Sequence, residues 1–359
     1  ILVGALQLLR LILPGLRLFL PERQGHGVAS AAGLLYWGIG WVFPVITAVM
    51  VFAQPAELTT GEWLILACAG AVGVWSAYAL LIEPNWIIVR AYDLPVSRAA
   101  ASLDGVRIVH VSDTHWRRPG KLVSRVIRRI KSLRPDIICL TGDLADDLDS
   151  PSSSSVRAVR QFFQGLHAPR GIYVVLGDWD GLAENWTAVE RAMAESSSVH
   201  LLNDAVHCLS FPDTDVLILG RAPAHLGSRP NFMATLPGEG FRLVLHHYPF
   251  GAIRAAELGA DLYLAGHTHG GQIRLPWLGG PYWSARGGQD RVGRTLPRRF
   301  NAGLHKVGQT WVHISSGLGT RGGDAPPIRF CCRPEIALLT LCKVGHEGGL
   351  EKCTGLPIS

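Results

Sequence analysis

The chain has 359 residues, 48% of them apolar, with 34 lysines and arginines against 28 acids and a formal net charge of +6. That length and apolar share exclude a single small soluble domain and a disordered polar chain. Seven cysteines, odd in number and scattered, do not form a secreted disulfide framework.

In chain order, residues 1–27 are apolar but carry Arg10 and Arg17 and are broken by Pro14, which fits an interfacial or membrane-associated segment. Residues 28–53 contain 26 positions without a charge, and residues 63–82 another 20. About 20 apolar residues cross a bilayer core, so residues 28–83 read as a transmembrane helical hairpin rather than as buried helices of a soluble core. The connection 54–62 has Glu57 and Glu62 and no basic residue, whereas Arg10, Arg17, Arg23, Arg90 and Arg98 flank the hairpin. Basic flanks favour the cytoplasm. The expected location is therefore the cell (inner) membrane, multi-pass, with the remainder of the chain cytoplasmic. Residues 84–104 read as a linker and 344–359 as a tail.

From Val106 the texture changes to short β-rich runs alternating with helical patterns. VRIVHVS (106–112), DIICL (136–140), GIYVVL (171–176), DVLILG (215–220), FRLVLH (241–246), DLYLAG (261–266), TWVHIS (310–315) and EIALLTL (335–341) read as strands. Residues 120–134 and 156–166 repeat apolar side chains at helical spacing. Strands separated by helices argue for an α/β layered domain.

Five of these strands run directly into residues that ligate metals. The first leads to Asp113 and His115, the second to Asp143, the third to Asp178, the fifth to His246 and His247, and the sixth to His267 and His269. Ligands of open α/β sheets gather outside the carboxyl ends of the strands, so one crevice can collect all of these side chains. Carboxylates and imidazoles without thiolate suit Mn²⁺, Fe or Zn²⁺. So many donors exceed what one ion that keeps a position open can use; they suit two divalent ions ~3.5–4 Å apart that clamp a phosphoryl group. A lone Asp-x-His or Gly-Asp is usually a turn, and it is the ordered set that carries the reading.

The series SDTH, TGD, GDWD, HHYP and GHTHGGQ resembles the calcineurin-like metallophosphoesterases, most closely the bacterial branch in which membrane helices precede the phosphodiesterase domain. The resemblance runs from about Gly105 to Leu341. It implies an α/β fold over residues 105–343, a double β-sandwich flanked by helices and preceded by N-terminal transmembrane helices, with a dinuclear centre. Carried over residue by residue, Asp113, His115 and His269 hold one ion, Asp143 bridges, and Asp178, His247 and His267 hold the other. The family pattern places the ligand two residues before a proline, here Pro249, which selects His247. Where the family usually has Gly-Asn-His, this chain has Gly177, Asp178 and Trp179. Asp178 can coordinate, but an indole cannot transfer a proton near neutral pH. The expected consequence is substrates with good leaving groups, substitution by a group such as His246 or Arg117, or low activity; Asp143, Asp178 and His246 are the expected catalytic groups.

Eight cations lie between Arg117 and Arg134, and a second cluster with Arg286 and Arg291 lies beside Trp277, Tyr282 and Trp283. Arg117, Arg286 and Arg291 are the expected substrate contacts, since arginine with aromatics suits a phosphate on a flat or greasy group. The first cluster fits either anionic headgroups or a solvated helix face. The expected function is a membrane-anchored phosphoesterase that hydrolyses a phosphodiester or pyrophosphate bond by attack of a metal-activated hydroxide. Its expected partners are the bilayer and a lipid-linked substrate such as a phospholipid or glycolipid; nucleic acid is disfavoured. Trp179 supports one alternative, a catalytically silent metal-binding membrane protein acting as sensor or scaffold.

Overall fold

The computed structural model describes residues 43–52, 58–96, 101–146, 153–180, 186–195, 198–222, 236, 238–274, 298–320 and 328–343. They divide into two compact units, one of residues 1–84 with 321–330 and one of residues 85–320 with 331–359.

The first unit holds α1 (Phe43–Phe52) and α2 (Thr60–Ala77). A capping box starts α2: Glu62 N donates to the Thr59 hydroxyl at 3.3 Å, and Thr59 N donates to the Glu62 carboxylate at 2.8 Å. The helix continues through a wide and then a tight turn, so that Thr60–Asn85 is long and apolar enough to cross a membrane. Its large side chains face outward; Val74 is 73% exposed. Phe330 returns to this helix, its ring edge-on to Trp75 at 5.4 Å. Two crossing helices are expected, and among the described residues one is found. Of the other expected span only the ten residues of α1 are described, about 15 Å of helix and half a bilayer. Residues 1–27, 28–42 and 344–359 lie outside the described residues.

The second unit is a four-layer α/β sandwich. Its elements are β1 (Ile88–Val96), β2 (Arg107–Val111), α3 (Lys121–Ser132), β3 (Ile137–Thr141), α4 (Ser154–Gly165), β4 (Ile172–Val175), α5 (Trp186–Ala194), β5 (Val199–Leu201), β6 (Ala205–Phe211), β7 (Thr214–Arg221), β8 (Phe241–His246), α6 (Ala252–Glu257), β9 (Leu262–Ala265), β10 (Gly303–Val307), β11 (Thr310–Ile314) and β12 (Glu335–Lys343). They form two six-stranded sheets, ordered β1-β12-β2-β3-β4-β5 and β10-β11-β9-β8-β7-β6. The pairs β2–β3, β3–β4 and β8–β9 are parallel, as strand–helix alternation requires, and β7–β8 is parallel too.

Alternation along each strand builds the layers. Ile108, Ile137 and Cys139 face Ile218, Leu243, Leu245 and Leu264 between the sheets. The intervening Val109, Val111, Ile138 and Leu140 face outward onto Val126, Ile130, Val159 and Phe163 of α3 and α4. On the second sheet Val244, Tyr263 and Ala265 meet Ala252 and Ala255 of α6.

Residues expected as a linker include β1, which pairs with β12 over nine residues. The charged Arg90 and Asp93 and the strand-disfavouring Pro95 obscure that strand in the sequence, and all three are tolerated because β1 is an edge with one side open to water.

Candidate metal centre

Every expected ligand stands just beyond the carboxyl end of a parallel strand: Asp113 and His115 after β2, Asp143 after β3, Asp178 after β4, His247 after β8, and His267 and His269 after β9. The loops are laced together. Asp113 N donates to Gly142 O at 3.0 Å, His115 N to Asp143 O at 3.0 Å, and Gly266 N to His247 O at 2.9 Å. Gly177 is required, because a Cβ there would overlap the Asp143 carboxylate; a Cβ at Gly266 would overlap Ser112 and Asp113. Asp113, His115, Asp143, His267 and His269 all have left-handed backbone, with φ between 43° and 71°. Non-glycine residues rarely adopt it, and five at one crevice mark stored strain of the kind found at functional sites.

The side chains converge as two adjoining groups. Asp113, His115, Asp143 and His269 offer donor atoms all within 4.8 Å of one another, and so do Asp178, His247 and His267. Asp143 Oδ2 lies 3.5 Å from His115 Nε2 in its own group and 3.5 Å from His247 Nε2 in the other. Asp178 Oδ1 is 2.7 Å from His247 Nε2 and 3.3 Å from His267 Nδ1. The His115 and His269 rings stack with centroids 5.0 Å apart. Five of the seven side chains are buried imidazoles or carboxylates, and the two groups form a donor set that fits divalent cations.

The electrostatics agree. Burial, joined by the neighbouring acids, pushes Asp143 up to about 7. Burial disfavours a charged His115, but its hydrogen bond to Asp146 and the carboxylates around it raise it to about 9. His247 is raised to about 10 against the same burial by Asp143, Asp178 and Asp113. Burial alone would raise Asp178, yet bonds to His247 and His267 hold it far below the usual carboxylate range. Divalent cations replace such shared protons when they bind.

Two supporting acids are not assigned a role by sequence reasoning. Asp180 accepts from Asp143 N and Leu144 N at 2.8 Å and from Gly177 N at 2.9 Å, so one carboxylate ties two ligand loops together. Asp146 accepts from His115 Nδ1 at 2.5 Å and from Arg117 Nε at 2.6 Å, orienting the imidazole as outer-shell carboxylates do. Their signal is faint: each is simply a second acid, two or three positions after a ligand, in GDWD and GDLAD.

The remaining candidates are distributed differently. Arg117 lies at the edge of the site, held by Asp146 and half exposed. His246 is buried and faces away, with Nδ1 2.8 Å from the Tyr263 hydroxyl, because alternation along β8 sends adjacent side chains to opposite faces. Arg286 and Arg291 lie outside the described residues. Trp179 places its ring 6.5 Å from that of His115 and donates its backbone N–H to Asp143 Oδ1 at 3.0 Å.

Comparison with known proteins agrees with this geometry. The family described as calcineurin-like phosphoesterase matches residues 106–271. The chain is 29% identical to the uncharacterized metallophosphoesterase YkuE of Bacillus subtilis, over 76% of this chain and 92% of that protein. It is 27% identical to the UDP-2,3-diacylglucosamine pyrophosphatase LpxG of Chlamydia trachomatis, over 79% of this chain and 96% of the relative. Against the phosphodiesterase YaeI of Escherichia coli the identity is 26%, over 77% and 96% respectively.

Proposed function

Because this chain carries a calcineurin-like phosphoesterase domain, a metal-dependent hydrolase that binds two divalent ions, we propose that it is membrane-anchored and cleaves a phosphodiester or pyrophosphate bond of a lipid-linked substrate. The observation that carries the phosphoester chemistry is the pair of adjoining Asp/His groups with Asp143 between them. Bound there, two ions supply Lewis-acid neutralisation of a phosphoryl group and lower the pKa of water. Asp113, His115 and His269 would hold one, Asp178, His247 and His267 the other, with Asp143 shared.

The chain's own residues supply the rest. Asp146 fixes the His115 ring, and Asp180 fixes the backbone carrying Asp143 and Asp178. Arg117, half exposed beside His115, would meet the negative charge of an arriving phosphate, with Arg286 and Arg291 as further candidates. His246 acts through Tyr263, whose hydroxyl also donates to Tyr248 O at 2.6 Å, and so positions the turn bearing His247. The exposed apolar helix Thr60–Asn85 supports a membrane anchor, and the basic flanking residues Arg10, Arg17, Arg23, Arg90 and Arg98 support an inner-membrane location with the hydrolase on the cytoplasmic side. The relatives named as a diacylglucosamine pyrophosphatase and a phosphodiesterase support the bond type and the lipid-linked substrate.

The test is turnover of bis(p-nitrophenyl) phosphate and of a membrane lipid extract by the detergent-solubilised chain with Mn²⁺, Fe²⁺ or Zn²⁺. Hydrolysis above an Asp143→Ala control supports the proposal; none with any metal or substrate sinks it. Trp179 favours a second reading, a metal-binding sensor or scaffold without turnover, since its indole cannot relay a proton. Changing Asp178→Asn and Trp179→His together separates the two. A gain on the order of 10²-fold or more in rate supports the silent reading, and a loss supports a site adapted to this sequence.

A further inference from the structure

The helix that follows the first ligand loop, α3, carries Lys121, Arg125, Arg128, Arg129 and Lys131 and no acid. All five cations are exposed. At about 100° per residue, Lys121, Leu122, Arg125, Arg128 and Arg129 share roughly a third of the helix circumference, opposite the buried Val126, Ile127 and Ile130. Lys131 projects to the side of that face. Arg118 before the helix and Arg134 after it are exposed too. Ion pairs elsewhere in this unit join Arg90 to Glu335, Arg117 to Asp146 and Arg160 to Glu195, and involve none of the five. Like charges this close repel one another unless an anion lies against them.

The position of the face says which anion. Arg125 Nη1 donates to the Asn85 carbonyl at 3.3 Å. Asn85 is the last residue of the apolar helix Thr60–Asn85. The next residue, Trp86, is 47% exposed, with the Arg333 guanidinium 3.6 Å above its ring. Leu122, on the basic face itself, is also exposed. Cations, a half-wet tryptophan that directly follows the apolar span in sequence and an exposed leucine match the chemistry of a bilayer's interfacial zone. Folded single-stranded nucleic acid sites instead present stacking platforms of aromatic rings, and α3 has no aromatic residue.

We propose that the Lys121–Leu122–Arg125–Arg128–Arg129 face of α3, with Trp86, lies against anionic phospholipid headgroups of the membrane in which the chain is anchored. This rests on the membrane-anchor reading above. Only residues 116–120 separate the ligand His115 from α3, so docking holds the first ligand loop beside the lipid surface.

Lysine footprinting on the full chain tests this. The protein is reconstituted in nanodiscs of phosphatidylcholine alone or with about 30% phosphatidylglycerol, acetylated with a water-soluble amine reagent, and read by mass spectrometry. In the anionic discs Lys121 acetylation should fall roughly three- to tenfold, while Lys131 and Lys306 should be unchanged. About 0.5 M NaCl, which shortens the screening length to about 4 Å, should restore it. So should replacing Arg125, Arg128 and Arg129 by glutamine. Equal labelling of Lys121 in both discs, by a chain that resists alkaline carbonate extraction, overturns the docking and leaves the anchor standing. A chain that carbonate strips from both discs overturns the anchor and the docking together. Stronger protection of Lys121 by a 20-nucleotide RNA in neutral discs than by phosphatidylglycerol reassigns the face to nucleic acid and also overturns the proposal.

Discussion

Two clusters of histidine and acid lie within the same sandwich, and their difference shows what makes such residues a metal site. The first is the ligand crevice, where Asp113, His115, Asp143, His267 and His269 sit on left-handed backbone and aim their lone pairs at shared points. The second is buried between the sheets, where His110, His313 and Glu335 sit in regular strands. There the polar atoms face one another in pairs, most of them hydrogen-bonded. His110 Nδ1 is 2.8 Å from His313 Nδ1, His110 Nε2 is 2.9 Å from the Thr141 hydroxyl, and His313 Nε2 is 3.1 Å from Glu335 Oε1. Arg90 Nε reaches Glu335 Oε2 at 3.0 Å and Ser316 Oγ reaches it at 3.1 Å. One set of tautomers serves the line: Thr141 donates to His110 and His110 to His313, which leaves the His313 Nε2–H facing Glu335 at ion-pair distance. Burial keeps His110 neutral, its pKa well below the ordinary value. Burial opposes a charged Glu335, but His313, Arg90 and Ser316 hold its pKa down. The residue types are the same in both clusters. Strand geometry sends them into pairwise bonds, and strained loops send them to a common point.

If that contrast is right, the crevice should cost activity when altered and the interior should cost stability. Asp143→Ala should be the most severe substitution. It removes the one carboxylate, among the described residues, within 3.5 Å of both His115 and His247, so phosphodiesterase kcat/KM should fall on the order of 10³-fold or more. Elemental analysis should find fewer than two bound ions, while the thermal midpoint of the metal-free protein stays level or rises as a strained buried charge is lost. A metal-free Asp143→Ala protein that unfolds markedly earlier than its parent would break the comparison.

Asp180→Ala sharpens it, because Asp180 touches backbone rather than presenting a donor to either group. It should raise the Mn²⁺ concentration for half-maximal activity about 10–100-fold, the usual range for an outer-shell acid. Saturating metal should recover most of kcat. A kcat that stays low at saturation would instead place Asp180 in contact with substrate. Glu335→Ala tests the interior. It strands the His313 imidazole, while Arg90 can turn to water, so the expected loss is about 2–3 kcal/mol, roughly 5–10 °C in thermal midpoint. The folded fraction should keep kcat within a few-fold. A large fall in kcat at an unchanged midpoint would make the interior cluster part of the catalytic machinery, transmitted through Thr141, whose carbonyl accepts from His247 Nδ1 at 2.7 Å.

The ligand set was legible in the sequence because each of its members follows a strand of β-branched and apolar residues that needs no tertiary information to identify. IIVR at 87–90 and the run AVHCLSF were not legible as strands, since both lie at sheet edges where half of each strand is polar. Gly303–Val307 hides for the same reason, as the far edge of the second sheet. Residue type alone does not tell His246 from His247; the family spacing to Pro249 selects His247, and the placement of β8 between β7 and β9 turns that residue to the crevice. The interior pair was invisible in a further way. His110 and His313 are 203 residues apart, and nothing local at either position announces the other.

That ambiguity at His246 leaves the smallest effect and the finest discrimination. As a general acid it would have to reach the crevice, so His246→Asn should cost 10²-fold or more in kcat, whereas Tyr263→Phe, which removes only a hydroxyl behind it, should cost almost nothing. As a positioning residue it acts through its 2.8 Å bond to Tyr263, whose hydroxyl also holds Tyr248 O. Then Tyr263→Phe and His246→Asn should cost similar amounts. Both break the His246–Tyr263 bond, worth about 1–2 kcal/mol in stability, Tyr263→Phe breaks the bond to Tyr248 O as well, and each shifts the turn carrying His247 enough to weaken metal binding a few-fold. The double variant decides between them. Two residues acting through one bond should lose little more together than either loses alone, whereas independent roles add. Since the Tyr263 ring is fully buried and the His246 imidazole nearly so, with no path of water between that bond and the crevice required by either result, the non-additive outcome is the one the geometry supports.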